Sequence, residues 1–144
     1  MYIVSACLAG INCRYDAKNS ENQFIVDLIK QGKAIPVCPE QLGGLDTPRI
    51  SCEIVTDEKG NKKVISKQGK DCTKEFTEGA EKTLQIAKIV GAKKAILKAK
   101  SPSCGCDLIY DGTFSGKLIE GNGLTAQLLL DNGIEVITEK DIHK

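Results

Sequence analysis

The sequence predicts an α/β fold, a single-domain Rossmann-like three-layer sandwich with a mostly parallel sheet and a β-hairpin insertion. Short apolar runs typical of buried strands alternate with amphipathic segments of helical period. Two alternating segments flank a turn-forming sequence, which predicts a hairpin. The chain of 144 residues has no linker and no internal repeat, so we expect residues 1–144 to form one domain.

Each predicted element follows from its local pattern. Four apolar runs are typical of parallel strands buried on both faces: residues 2–6, 34–37, 94–98 and 134–138. Three segments carry an apolar stripe of helical period: residues 21–31, 74–90 and 124–132. Asp71 or Thr73 can cap the second helix, and Gly91 ends it. Residues 53–57 and 62–66 alternate around a charged, glycine-containing turn and predict the hairpin.

Composition and charge exclude several classes of function. The formal net charge is +1, so no global field draws the chain to nucleic acid or to a membrane surface. Three tyrosines, three phenylalanines and no tryptophan also argue against binding of a large RNA. No apolar run has the length of a membrane span, and the amino terminus lacks the features of a signal peptide. We therefore expect a cytoplasmic protein.

Cysteine is the unusual component. Seven cysteines cannot all pair, and in a reducing compartment they indicate metal binding, catalysis or packing as small apolar side chains. The single histidine, His143, lies beside the carboxyl terminus, which argues against Cys–His catalysis and histidine-rich zinc sites. No C-x-x-C pair is present, so a thiol–disulfide enzyme is a weak alternative.

Cys7, Cys38 and Cys104 each lie just beyond the carboxyl end of a predicted strand. Ligands of open parallel sheets bind outside those ends, where the strand order reverses. The three thiols are therefore expected to converge on one cleft, as a metal or iron–sulfur site with an open coordination position. Cys13 follows Cys7 at a spacing unlike that of zinc knuckles. Cys52 and Cys72 are expected to be structural, and Cys106 to lie close enough to Cys104 to compete for a metal.

Several motifs occur together and in order: Ser5-Ala6-Cys7-Leu8-x-Gly10-x-x-Cys13-Arg14-Tyr15-Asp16, Pro36-Val37-Cys38-Pro39-Glu40-Gln41-Leu42-Gly43-Gly44-Leu45, Thr47-Pro48-Arg49, Ser101-Pro102-Ser103-Cys104-Gly105 and Ile109-Tyr110-Asp111-Gly112-Thr113-Phe114. With these motifs the chain resembles, over nearly its whole length, the domain-of-unknown-function 523 family, whose characterised members are thiouracil desulfurases. The resemblance implies a 4Fe–4S cluster held by three cysteines, which match Cys7, Cys38 and Cys104. The fourth iron would bind the substrate sulfur as a Lewis acid. Three roles stay open for Cys13: a fourth cluster ligand, a transient sulfur acceptor or a packed thiol.

The implied reaction is a non-redox hydrolysis of C=S to C=O, which needs a general base and a proton donor. Glu40 is the candidate base, and Ser101 and Ser103 are the candidate hydroxyls. Arg14 and Arg49 are candidates for substrate binding, although a salt bridge that holds a loop is an equal alternative. Asp16 and Asp111 are expected to brace loops.

Two functions remain open at this point. The first is desulfuration of a small thiolated pyrimidine, with the free base, a nucleotide and thiolated tRNA all possible as substrates and nucleic acid the least expected. The second is a non-catalytic module that holds zinc or an iron–sulfur cluster.

Overall fold

The computed structural model describes residues 1–142, so His143 lies outside the described residues. The strands are β1 (Tyr2–Ser5), β2 (Ala34–Val37), β3 (Cys52–Thr56), β4 (Lys62–Ser66), β5 (Lys94–Leu97), β6 (Leu108–Tyr110), β7 (Leu118–Glu120) and β8 (Glu135–Thr138). The helices are α1 (Gln23–Lys30), α2 (Pro39–Leu42), α3 (Thr73–Val90) and α4 (Leu124–Asp131), with 3₁₀ turns at Ala6–Ala9 and Glu139–Asp141. None of the described helices is long and apolar enough to cross a membrane.

Four parallel strands form the central sheet in the order β2-β1-β5-β8. The chain leaves β1 toward β2 on one side and later returns to β5 on the other, so the strand order reverses between β1 and β5. That reversal is where α/β proteins bind their ligands. The predicted α/β fold with a mostly parallel sheet and a hairpin is confirmed.

Successive residues of β1 point into two separate cores. Ile3 packs with Ala87 of α3 and Leu129 of α4, whereas Val4 packs with Ile25 and other residues of the α1 side. Because side chains alternate along a strand, the sheet is buried on both faces and the helices form the outer two layers. Burial on both faces explains why the sequences of these strands are continuous apolar runs.

Two antiparallel hairpins lie beside the sheet. The β3–β4 hairpin matches the predicted one within a residue, and its apolar side packs on Phe76 of α3. The β6–β7 hairpin was not predicted from the sequence. Residues 39–42 form one helical turn, because Pro39 has the backbone angle that suits a first helical position.

Helices α2 and α3 cross with their backbones in contact. A Cβ atom on Gly43 would collide with the carbonyl oxygen of Glu75, and one on Gly79 with that of Pro39. Glycine at both positions lets the two helices approach this closely. Because α2 begins directly after Cys38, this crossing fixes the position of that thiol.

Candidate metal centre

One cavity of about 490 Å³ lies at the carboxyl ends of β1, β2 and β5. Cys7, Cys38 and Cys104 all line it, as the strand-end argument predicts. Cys13 is a fourth cysteine in the same wall. With Cys52, the cavity lining thus includes five thiols, which are separated by up to 97 positions in sequence, from residue 7 to residue 104.

Cys7 is held by a 3₁₀ turn that continues β1 without a break. Its carbonyl oxygen accepts hydrogen bonds from the backbone N–H groups of Ser20 and Gly10, at 2.9 and 3.3 Å. Gly10 ends the turn in the left-handed region, with φ of 93°. The turn keeps the thiol at the strand end and nearly buried.

The loop that carries Cys104 is fixed by the amino end of α4. The backbone N–H of Leu124 donates to the carbonyl of Pro102 at 2.9 Å, and those of Thr125 and Ala126 donate to Ser103 at 2.9 and 3.1 Å. The first N–H groups of a helix have no partner within the helix, and here the loop carbonyls supply one. The amino end of helix α4 therefore supports the loop that carries the Cys104 thiol.

The thiols of Cys38, Cys13 and Cys7 interact with one another in that order. Contact with Cys38 lowers the pKa of Cys13, but contact with Cys7 and burial raise it, with the net result a pKa of about 11. The hydrogen bond to Cys13 and burial raise the pKa of Cys38. The thiols of Cys13 and Cys38 are therefore protonated near neutral pH, and a metal centre that binds thiolates would displace such protons.

Cys104 is buried among hydroxyl groups. Burial raises the pKa of its thiol to about 12, while hydrogen bonds with Ser5 and Ser101 oppose that rise. Ser101 Oγ also accepts the backbone N–H of Cys104 at 2.6 Å, and Ser5 Oγ accepts the N–H of Lys98 at 2.9 Å. Ser101 also lines the cavity.

Ser103, the other predicted hydroxyl, is not among the residues that line the cavity. It is fully buried, and its Oγ shares a hydrogen bond of 2.7 Å with Thr125 Oγ1 on α4. This contact fastens the Cys104 loop to the helix. The two serines, only two positions apart, thus have different surroundings.

Glu40 and Arg49 form an ion pair in the cavity wall, with Arg49 Nε 3.2 Å from Glu40 Oε1. Burial raises the pKa of the Glu40 carboxyl, and the charge of Arg49 opposes that rise. Arg49 also donates to the carbonyl oxygens of Cys13 and Asp46 and to Thr47 Oγ1, at 2.9, 3.0 and 2.9 Å. Arg49 joins helix α2 to the Cys13 loop and to the loop that carries Asp46 and Thr47, so most of its donors are already used.

Arg14 is more exposed and lies at the cavity mouth. It donates to Ser20 Oγ at 2.9 Å, lies 3.6 Å from Asp16 and stacks over the Tyr15 ring at 5.9 Å from its centre. Asp16 accepts the backbone N–H of Lys18 at 3.0 Å, which is the loop-bracing contact expected of it. Both arginines line the cavity, and their role toward a substrate stays a prediction.

The cavity is also lined by residues to which the sequence analysis assigned no role in the site. They come from β3, from the β6–β7 hairpin and from the chain after β5: Cys52, Glu53, Tyr110, Gly116, Lys98 and Lys100. Lys98 pairs with Glu139 at 2.9 Å. Only the motif from Tyr110 to Phe114 could have indicated this part of the cavity from the sequence. The other residues belong to no motif with a characteristic spacing.

The remaining three cysteines differ in their surroundings. Cys52 lines the cavity, and its pKa is raised to about 12 by burial and then by its neighbour Cys72. Cys72 is buried at the start of α3, in the core beneath the first hairpin. Cys106 is half-buried, contacts the carbonyl of Val136 at 3.7 Å and is not among the cavity-lining residues. Its expected competition for a metal has no support in this geometry.

The donor set fits an iron–sulfur cluster. Within residues 1–142, no three Cys, His, Asp or Glu side chains are gathered around one point in the way that a single metal ion needs. The ligands of a 4Fe–4S cluster each bind a different iron atom and therefore stand farther apart. Cys7 and Cys104 are buried and Cys38 is half-buried, and these three thiols, on separate strand ends around one cavity, have the wider spacing that a cluster needs.

The fold and the site together define a class: α/β proteins that present several thiols, as ligands for a soft metal centre, at the carboxyl edge of a parallel sheet. Comparison with known sequences identifies the family within that class. The chain belongs to the 2-thiouracil desulfurase family, whose sequence model matches residues 2–141.

Two relatives illustrate the similarity. The uncharacterized protein YbbK of Bacillus subtilis (strain 168) is 46% identical over 148 residues, which covers 99% of this chain and 98% of YbbK. The solved structure of the 4Fe–4S-dependent thiouracil desulfidase TudS, a DUF523 protein, superimposes with a TM-score of 0.89 at 39% identity. The match covers 99% of this chain and 92% of TudS. The family resemblance found in the motifs is confirmed.

Proposed function

We propose that this protein is an iron–sulfur enzyme that removes sulfur from a small thiolated pyrimidine, converting C=S to C=O with water and releasing sulfide. The observation that carries the proposal is that Cys7, Cys38 and Cys104, from three strand ends, line one cavity. Membership of the desulfurase family and the similarity to TudS support the same chemistry.

Cys7, Cys38 and Cys104 are the proposed ligands of a 4Fe–4S cluster. A cluster held by these three thiolates would supply one iron without a cysteine ligand, which would serve as a Lewis acid toward the thiocarbonyl sulfur. Cys13 lies among the thiols, but a fourth cysteine ligand would close the open position. We therefore assign Cys13 to packing, and expect the Cys13→Ser variant to retain the iron content of the native protein.

Glu40 is the proposed general base and Ser101 the proposed proton donor. Both line the cavity. Burial raises the pKa of Glu40, and a carboxylate of raised pKa takes a proton from water more readily than an exposed one. Arg49 keeps that carboxylate oriented through its contact with Oε1. Ser103, which bonds to Thr125, holds the Cys104 loop rather than the substrate.

The size of the cavity favours a small substrate. A volume of about 490 Å³ accommodates a pyrimidine ring beside a cluster and is typical of small-molecule sites. The near-zero net charge of the chain agrees with a small molecule rather than thiolated tRNA. A thiolated pyrimidine base or nucleotide is therefore the proposed substrate class, in a protein that we expect to be cytoplasmic.

Anaerobic reconstitution tests the proposal directly. The protein is purified without oxygen, supplied with iron and sulfide, and analysed for iron, for visible absorption and for sulfide release from 2- and 4-thiouracil. We expect about four irons per chain, a broad charge-transfer band and release of sulfide with formation of uracil. A colourless protein that takes up zinc but no iron would leave a metal-binding module instead.

A further inference from the structure

Glu53 on β3 is a buried carboxylate in the cavity wall that the cysteine site does not use. Its side chain is 9% exposed, and it lines the cavity together with Cys52 and Tyr110. It belongs to the hairpin wall, the part of the cavity lining that β3 and the β6–β7 hairpin contribute. A buried carboxylate needs hydrogen-bond donors around both of its oxygens.

One oxygen of Glu53 has such donors. Oε1 accepts the backbone N–H groups of Gly112 and Phe114, at 2.9 and 3.1 Å. These residues lie in the β6–β7 turn, where Asp111 accepts the backbone N–H of Thr113 at 2.9 Å. The turn is thus braced from within and fastened to β3 through Oε1.

The other oxygen has no partner among residues 1–142. Among residues 1–142, Glu53 forms no ion pair and its Oε2 accepts no hydrogen bond. Oε2 is not among the fully enclosed unpaired oxygens of the described residues, and the side chain lines the cavity. Glu53 thus has one oxygen fixed by the turn, and its second oxygen, with no hydrogen-bond partner among residues 1–142, belongs to a side chain at the cavity.

We propose that Glu53 is a specificity-determining residue, whose Oε2 accepts the ring N3–H of a thiolated uracil. The assignment rests on the proposed function. N3 lies between C2 and C4, so its N–H is next to the sulfur-bearing carbon in both 2-thiouracil and 4-thiouracil. A carboxylate accepts this hydrogen but offers none to the bare N3 of a cytosine-type ring. Glu53 thus selects uracil-type over cytosine-type thiopyrimidines.

The Glu53→Gln variant separates this role from support of the turn. The side-chain oxygen of the glutamine can still accept hydrogen bonds from the backbone N–H groups of Gly112 and Phe114. The NH₂ group of the glutamine, which is a donor, takes the place of Oε2. Reconstituted native and variant proteins are assayed with 4-thiouracil and with its N1-methyl and N3-methyl derivatives. We expect kcat/KM of the variant to fall about 10- to 100-fold for 4-thiouracil and N1-methyl-4-thiouracil, with iron content unchanged.

The N3-methyl derivative supplies the decisive comparison. It lacks the hydrogen, so the native protein turns it over poorly, and the Glu53→Gln variant treats it no worse than the native protein does. Glu58→Gln, in the exposed β3–β4 turn, is the matched control and retains native kinetics with all three compounds. A Glu53→Gln variant that prefers the N3–H compounds as strongly as the native protein does overturns the inference.

The affinity of the native protein for the product uracil tests the role of Glu53 without any variant. Calorimetry of the native reconstituted protein should show tighter binding of uracil than of 3-methyluracil, and equal affinities would contradict the role of Glu53 even if the variant failed to fold. Failure of the proposed function looks different, because the native protein would then release no sulfide from any thiouracil.

Discussion

The two walls of the cavity are built in different ways. The strand-end wall carries the thiols on turns that continue buried parallel strands, supported by helix backbones at the α2–α3 crossing and the α4 amino end. The hairpin wall carries Glu53 on the β3–β4 hairpin and Tyr110 on the β6–β7 hairpin. A metal centre needs ligands fixed by a rigid scaffold, whereas loops and hairpins adapt a site to its substrate. We infer that the first wall sets the chemistry and the second sets the substrate.

Removing a thiol from the strand-end wall should have the largest effect. Cys38→Ala deletes one of three proposed ligands, so we expect loss of stable cluster binding and of all desulfurase activity. Cys106→Ala is the matched control, because this half-buried cysteine is not among the cavity-lining residues. Iron content, the visible spectrum and sulfide release are measured after identical reconstitution. A Cys38→Ala protein with about four irons and native turnover contradicts the ligand assignment.

Changing the proposed base should reduce turnover without removing the cluster. Glu40→Gln keeps the size of the side chain and its contact with Arg49 Nε but removes the group that takes a proton. We expect kcat to fall about 10²- to 10⁴-fold, the usual contribution of general acid–base catalysis. Iron content should match that of the native protein. Full activity of Glu40→Gln, with an intact cluster, would remove Glu40 as the base.

The same contrast between the walls explains what the sequence could predict. Cys7, Cys38 and Cys104 were predictable because each follows an apolar strand, and parallel topology delivers strand ends to one edge. The motif resemblance then added the cluster and the three-ligand hypothesis. Glu40 and Arg49 were both named beforehand, although their contact depends on packing between loops that no spacing rule describes.

The hairpin wall was not predictable in the same way. Strands β6 and β7 have three residues each, too few for alternation to show, and seven residues with no two-residue hairpin turn separate them. The sequence pattern places Glu53 only in an alternating strand. Its burial depends on the β6–β7 hairpin, which the sequence did not predict and whose turn donates to Glu53 Oε1. Ser101 and Ser103 could not be told apart, because only the position of Thr125 on α4 distinguishes them.

Crowding the α2–α3 crossing should weaken the strand-end wall through packing alone. Gly79→Ala places a Cβ against the carbonyl oxygen of Pro39, so α2 has to shift. Overpacking of this kind costs about 1–3 kcal/mol, and the better helix propensity of alanine offsets up to about 1 kcal/mol of that. Glu81→Ala, on the exposed side of α3, is the control. Urea unfolding compares the free energies, and an unchanged midpoint for Gly79→Ala would contradict the close contact.

A substitution that loosens the β6–β7 turn should change the free energy of unfolding least, and this change should depend most on pH. Hydrogen bonds from the Thr113 hydroxyl and then the Thr113 N–H lower the pKa of Asp111 below its ordinary value. A carboxyl whose pKa is lower in the folded state stabilises that state above its unfolded pKa, and the stabilisation disappears as pH falls through the folded pKa. Asp111→Asn should therefore be slightly less stable than the native protein at pH 7, and the difference should shrink below about pH 4. Urea unfolding at the two pH values measures it, with Asp131→Asn, on the far side of α4, as the exposed control. A difference that grows on acidification would mean that the carboxylate does not brace the turn.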